Sequence, residues 1–192
     1  MEILPIAYFP PLSYFSLLKE GNVILEAFEN YQKQSWRNRC LILTANGVQP
    51  LSVPVVHSGG TFRHGIKETI VDYSRDFVTL HCRALDAAYM SAPYFTHYRD
   101  SIYAVLNSHP DTLWELDLRL MRIICKTLGI TTPGETSSFL GASVDISPKR
   151  ADTHYKQKPY YQVFISKTGA FVPNLSILDL LFNEGPGASE YL

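Results

Sequence analysis

The sequence is short of charge. Charged residues make up 18% of its 192 residues, below the usual quarter, and the formal net charge is −1. No strong field of one sign exists to draw nucleic acid or an anionic membrane surface, so neither is expected as a partner. Cysteine is scarce too. Cys40, Cys82 and Cys125 are an odd number at no metal or disulfide spacing, and they read as buried thiols in a reducing compartment. No apolar run approaches the roughly 20 residues that span a bilayer, so no membrane span is expected. The opening, Met1-Glu-Ile-Leu-Pro5, lacks the basic flank of a signal peptide, and a soluble cytoplasmic protein is the expectation. Gly-x-Ser-x-Gly and P-loop patterns are missing. The histidines have no His-x-His or His-x-x-x-His spacing, so neither a metal nor another cofactor is expected.

What is present is apolar and aromatic. Hydrophobic residues reach 46%, with 12 Tyr, 10 Phe and 2 Trp, a composition that disfavours disorder. A chain of this length buries about 70% of its unfolded surface and needs no staples. Tyrosine offers a flat face and a hydroxyl, which suits either a sugar-binding cleft or a core with wet edges.

The patterning predicts a short strand over Ile3–Tyr8, a break at Pro10-Pro11, and a helix over Leu12–Lys19 ended by Gly21. Val23–Phe28 reads as a buried strand. Leu41–Thr44 and Val48–Val56 form a hairpin around Asn46-Gly47, with Pro54 ending the pairing of the second arm. Ile66–Tyr73 reads as a further strand. Three helices follow: Asp76 to about Met90, Tyr94–Asn107 with a face of Tyr94, Tyr98, Ile102 and Val105, and a third opened by a Thr112/Glu115 capping box and stopped by Gly129. The third carries an apolar stripe of Leu113, Leu116, Leu120, Ile123, Ile124 and Leu128 opposite Arg119, Arg122 and Lys126. Tyr160–Ile165 looks like a returning strand. The fold class expected is α/β: a single mixed domain, a central sheet with a β-hairpin, a three-helix segment in the middle and a short C-terminal docking helix.

That last helix carries the densest signals. Ser176 can cap a helix from Ile177, Asp179 can face the cap and the dipole, and Gly185-Pro186 ends it. Two turns are unstable alone, so the helix must dock through Leu175, Ile177, Leu178, Leu181 and Phe182. The polar residues at its ends, Asn174, Asp179, Asn183 and Glu184, either border the core or face a site.

Several stretches could carry chemistry. The turn Tyr8–Phe15 enters a helix N-terminus, a place that favours anions but is also an ordinary tight turn. Tyr31-Gln-Lys-Gln-Ser-Trp-Arg-Asn-Arg-Cys40 sets Arg37, Asn38 and Arg39 beside Trp36. Arginine forks suit carboxylate or phosphate, while a charge-guarded strand edge is the plainer reading. His81 shares a helical face with Phe77, Ala84, Leu85 and Ala88. It is the best general-base candidate, although a histidine on such a face is commonly a satisfied core residue. Lys149, Arg150, Lys156 and Lys158 make the loop 147–158 basic, as a lid or as solvated surface.

In their order, Tyr8…Pro10…Tyr14-Phe15, Asn38-Arg39, Val53-Pro54-Val55, Ala88-Tyr89…Pro93-Tyr94-Phe95, Tyr161-Gln162 and the continuous Phe171–Pro186 resemble the WbqC-like family over nearly the whole chain. One WbqC-like domain over residues 1–192 is therefore expected. The family takes its name from genes in bacterial surface-polysaccharide (O-antigen) clusters. The resemblance implies an enzyme of that biosynthesis, with aminoacyl (glycine) transfer to a sugar as the suggested chemistry. Such a transfer needs a base, donors for an oxyanion and cations for an activated donor. In that casting His81 is catalytic, Asn38 and Asn174 are oxyanion donors, and Arg37, Arg39 and Lys149 are the cations. Tyr8, Tyr14, Tyr89, Gln162 and Asn183 complete the substrate contacts. The chain departs from longer members at Pro11 and Ser13, where they have Trp and Gly. It also has a short Ser147-Pro-Lys-Arg…Lys-Pro-Tyr stretch in place of a Gly-rich one, which points to a different substrate or none. The partner expected is a small molecule or activated sugar, and a homo-oligomer is left open. Two alternatives stand beside the enzyme: a non-catalytic module for an anionic sugar or nucleotide-sugar, and a scaffold that docks a partner through the C-terminal helix.

Overall fold

The computed structural model describes residues 1–56, 64–143, 155–165 and 169–192. Strand β1 (Glu2–Pro5) leads through helix α1 (Leu12–Glu20) to β2 (Val23–Glu26), which lies parallel to β1 with Ile3 opposite Ile24. A parallel pair needs such a crossover, and Gly21 at φ 75° lets α1 stop and turn back within two residues. An antiparallel hairpin follows, β3 (Arg39–Thr44) with β4 (Gly47–Ser52). Three helices come next: α2 (Phe77–Tyr89), α3 (Phe95–Asn107) and α4 (Leu113–Leu128). A two-residue strand, β5 (Gly134–Glu135), then joins the free side of β2, giving the order β1-β2-β5. Helix α5 (Ile177–Glu184) and a 3-10 segment, Gly185–Tyr191, close the chain. The class is mixed α/β, as the patterning predicts.

The helix signals act as their chemistry requires. Asp76 Oδ1 accepts from Thr79 N at 3.2 Å, and Thr112 Oγ1 from Glu115 N at 3.2 Å. Glu115 does not complete the reciprocal box; its carboxylate pairs with Arg119 one turn on. Gly129 ends α4 in the left-handed region. Helix α5 docks as expected. Leu175, Ile177, Leu178, Leu181 and Phe182 are all buried, and so is Leu180. At about 1.5–3 kcal/mol for each fully buried large side chain, this packing supplies the stability that two turns lack. An apolar face already spent on the chain's own core leaves α5 with nothing to dock a partner.

Several local expectations are corrected. The hairpin turn is Ala45-Asn46, one residue earlier than the Asn-Gly signal implies, with Thr44 opposite Gly47 and Gly47 itself at φ 101°. Residues 66–73 form no strand: Ile66–Glu68 is a 3-10 turn, and Ile70 and Val71 make isolated bridges. The main chain there splits its bonds. Val56 N reaches Ile70 O, while Val71 N reaches Asp111 O, so no continuous ladder builds. Tyr160–Ile165 is not a strand either. Tyr161 N bonds the Glu184 carboxylate and Gln162 binds Val172, so side chains take the place of a neighbouring strand. Helix α3 buries Phe95, Ile102 and Leu106, a face rotated from the expected one. Cys40 and Cys125 are buried but Cys82 is only half-buried.

Strand β2 stops at Glu26 for an electrostatic reason. This fully buried carboxylate accepts from Phe28 N, Leu140 N, Gly141 N and the Thr136 hydroxyl at 2.7–3.0 Å. Burial pushes its pKa up, but the three main-chain N–H groups and the hydroxyl outweigh it and hold the group below the usual range. The carboxylate thus staples the 134–141 segment to the sheet.

The end of α5 depends on Gly185. It is buried at φ 54°, and the Tyr94 ring lies where a Cβ would stand. Tyr94 N also donates to Phe182 O at 3.0 Å, which holds the start of α3 against α5. Gly185→Ala is expected to lower stability by at least about 2 kcal/mol, from positive-φ strain plus the displaced ring. A urea-unfolding midpoint that stays at the wild-type value would contradict this packing.

Candidate functional site

The N-terminus of α1 is a natural anion site by its dipole, but the chain fills it. Leu12 N donates to Leu175 O at 3.1 Å and Ser13 N to Asn174 Oδ1 at 2.9 Å. Tyr14 N and Phe15 N both turn back to Pro11 O. Pro11 has no N–H, and the three orphan donors of the helix, on Leu12, Ser13 and Tyr14, are therefore all satisfied by protein. Pro11 at the cap position has no side-chain acceptor, so Asn174, held at φ 53°, caps α1 from the far end of the sequence. The turn is a structural joint, and Asn174 is engaged in it.

Asp179 does not face its own helix cap. Ser176 Oγ alone accepts from Leu178 N at 3.2 Å, and the Asp179 side chain turns inward. Its Oδ1 accepts from the Tyr89 hydroxyl at 2.9 Å; its Oδ2 accepts from the Tyr160 hydroxyl at 2.6 Å and from Gln162 Nε2 at 3.1 Å. Burial pushes the Asp179 pKa up; the donors from Tyr160, Tyr89 and Gln162 oppose this, and the group stays above the usual range. Asn183 Nδ2 donates to Asp179 O at 2.7 Å, and its buried Oδ1 has no partner among the described residues. Tyr89, Gln162 and Asn183 are thus brought together, as members of one buried network. Tyr160 belongs to it as well. It is a residue the sequence reading passed over, although Tyr160 and Gln162 two apart in extended chain share a face.

A second group forms around His81. The ring is buried between Tyr8 and Phe77, and its Nδ1 lies 2.9 Å from the Tyr8 hydroxyl. Burial lowers its pKa to about 4, partly opposed by hydrogen bonding to the Ser52 main chain. A carbonyl there accepts only, so the facing nitrogen carries the proton and Nδ1 accepts from Tyr8. Arg39 Nε reaches the hydroxyl of the same Ser52 at 3.2 Å. His81 and Arg39 therefore both reach Ser52, an exposed residue at the end of β4, with Tyr8 behind the imidazole. Tyr14 is not part of this group; its hydroxyl donates to Pro5 O at 2.9 Å.

The other residues of the polar run turn inward. Arg37 Nε and Nη2 grip both oxygens of Glu29, with Nε at 2.7 Å, in an ion pair whose side chains are 6% and 7% exposed. Trp36 is buried and offers no open stacking face. Asn38 Nδ2 donates to Val53 O at 2.8 Å, while its Oδ1 is buried. Among the described residues both oxygens of Asp117 on α4, like Asn38 Oδ1, have no partner, and Asp117 is fully buried. Burial alone drives its pKa well above the usual carboxylate value. Its field reaches Tyr8, Tyr14, Tyr31 and Cys40. Sequence reading missed Asp117, yet the signal was there: an acid four residues after Leu113 and three before Leu120, within the apolar stripe. Lys149 lies outside the described residues. Among the described residues no three His, Cys, Asp or Glu side chains gather as a metal site. No helix among them is long and apolar enough to cross a membrane.

The His81 environment has a measurable consequence. An unfolded imidazole takes up its proton below about 6.5, the folded one only near 4. The unfolded state therefore binds more protons in that window. Stability is fully present above about 6.5 and falls as the pH drops toward 4, by roughly 3 kcal/mol from this group. In His81→Gln that component of the slope disappears, as urea midpoints measured across the window would reveal. An NMR titration with the imidazole pKa near 6.5 in the folded protein would refute the burial argument.

Comparison with known proteins adds kinship to this geometry. No solved structure matches the chain. The uncharacterized protein Rv1507c of Mycobacterium tuberculosis (strain ATCC 25618 / H37Rv) is 31% identical over 218 residues, covering 96% of this chain and 94% of that one. The model of the WbqC-like protein family matches residues 6–150 and 147–191. The matched stretches hold the Tyr8–His81 pair, the Arg37–Arg39 turn and the Asp179 network, and the chain belongs to the WbqC-like protein family.

Proposed function

We propose that this protein is a transferase of bacterial surface-polysaccharide biosynthesis that moves an aminoacyl group, glycine in the simplest case, onto a sugar. The observation that carries the reading is the line from the buried Tyr8–His81 pair through Ser52 out to the half-buried Arg39 guanidinium. In such a transfer a sugar amine or hydroxyl attacks the acyl carbonyl of the donor. The bond from the carbonyl carbon to the leaving group breaks, and the attacking group loses a proton. A neutral imidazole is in the protonation state a base requires, and the buried Tyr8 hydroxyl bonded to it fixes the ring in place. Arg39 is placed to hold an anionic part of the donor or acceptor. Arg37 is a weaker candidate for that task, because Glu29 already neutralises it.

One observation favours the non-catalytic module as a second reading. The low imidazole pKa weakens His81 as a base, and both of its nitrogens already have partners within the protein. The same groups then fix the shape of a binding surface at Ser52 and Arg39.

Turnover separates the two. The purified chain is incubated with an activated glycyl donor and nucleotide-sugars, and acceptor mass is followed for gain of one aminoacyl group. The transferase reading expects product formation that falls by roughly 10²-fold or more in Tyr8→Phe and in Arg39→Ala. Full turnover in both variants removes the assigned site. Thermal stabilisation by nucleotide-sugar with no product, lost in Arg39→Ala, identifies a binding module.

A further inference from the structure

Two buried acceptors on different elements lack donors. Asp117 sits on the inward face of α4, and neither carboxyl oxygen has a partner among the described residues; the same is true of Asn38 Oδ1 on the 3-10 turn Trp36–Asn38. That turn packs against α4. An unmade hydrogen bond to a buried carboxyl is expensive in either protonation state, because the charged form needs donors and the neutral form still needs an acceptor for its proton. Three of the nearby donors are already committed. The Tyr8 hydroxyl is bonded to His81, the Tyr14 hydroxyl to Pro5 O, and Arg37, the one cation of the turn, to Glu29. Leucine at position 117 would continue the stripe of Leu113, Leu120 and Ile124 without this cost, so the carboxyl is not there for packing.

We propose that the interior between α4 and the Trp36–Asn38 turn is a binding site for a primary ammonium group, received by the Asp117 carboxylate and Asn38 Oδ1. Two oxygen acceptors match a head group that carries N–H donors and a positive charge. This site goes beyond the transfer reading, and its test needs no turnover, so either can fail alone.

The probe is ethanolamine, with choline as a control of equal charge that has no N–H donor. Thermal melts and calorimetry on the full chain are expected to show a saturable rise in Tm with ethanolamine and none with choline. Asp117→Leu is expected to abolish the ethanolamine response while melting at or above the wild-type temperature. Should the leucine variant fail to fold, Asp117→Asn keeps the shape, and its affinity for ethanolamine is expected to fall at least tenfold. Three results would overturn the site: no response of the wild type to ethanolamine, an equal response to choline, or a response retained in the Asp117 variants. Ordered solvent bridging the two acceptors predicts the first of these.

Discussion

The buried carboxyl of Asp179 is the joint on which the closing of this fold depends. It binds Tyr89 from α2 and both Tyr160 and Gln162 from the segment that precedes α5. Gln162 in turn clasps Val172 through its main-chain N–H and C=O, at 3.0 and 2.9 Å. Tyr160, Gln162 and Val172, which lie in no strand or helix, are thereby held by side-chain bonds to one short helix. A buried carboxyl costs several kcal/mol unless it is well supplied with donors, and three donors on one group meet that condition. The family signature at residues 171–186 reads as an instruction for closure: apolar side chains to dock α5, an acid to collect tyrosines, and glycine to let Tyr94 lie against the helix end.

The interior contains more charge than the composition suggests, and it handles each charge differently. Glu26 is ionised and held by main-chain donors. Glu29 and Arg37 neutralise one another. His81 is kept neutral by burial. Asp117 has its pKa raised by burial, and its carboxyl has no partner among the described residues. Satisfied groups of this kind rigidify a core. The unsatisfied one stands apart, and deviations from an otherwise consistent interior tend to mark function. The arginine run that reads as an anion site divides in two, with Arg37 serving the fold and Arg39 reaching the surface at Ser52.

Much of the fold was legible because the signals are local. Asp76, Thr112 and Ser176 cap the helices they precede, Gly21 and Gly129 end theirs, and the apolar residues of α5 all dock. The errors occur where backbone bonding is non-local. Residues 66–73 and 160–165 have strand-like composition, but no continuous neighbour lies beside them. Tyr94 looks like part of a helical face and instead covers a glycine ninety residues away in sequence. Asp117 was hidden for a related reason: periodicity marks which positions are inside, and it cannot say whether a polar one finds a partner there.

By itself the sequence determined the mixed α/β class, most helix ends, the buried α5 and kinship with the WbqC-like proteins. These rest on hydrophobic periodicity, capping chemistry and residue order, all of which act within a few residues or along the chain. Only the tertiary structure decided that Asn174 caps α1, that Asp179 gathers Tyr89, Tyr160 and Gln162, and that His81 and Arg39 meet at Ser52. A side chain's hydrogen-bond partner depends on which distant segment packs against it, and that follows from the balance of burial and polar satisfaction over the whole chain.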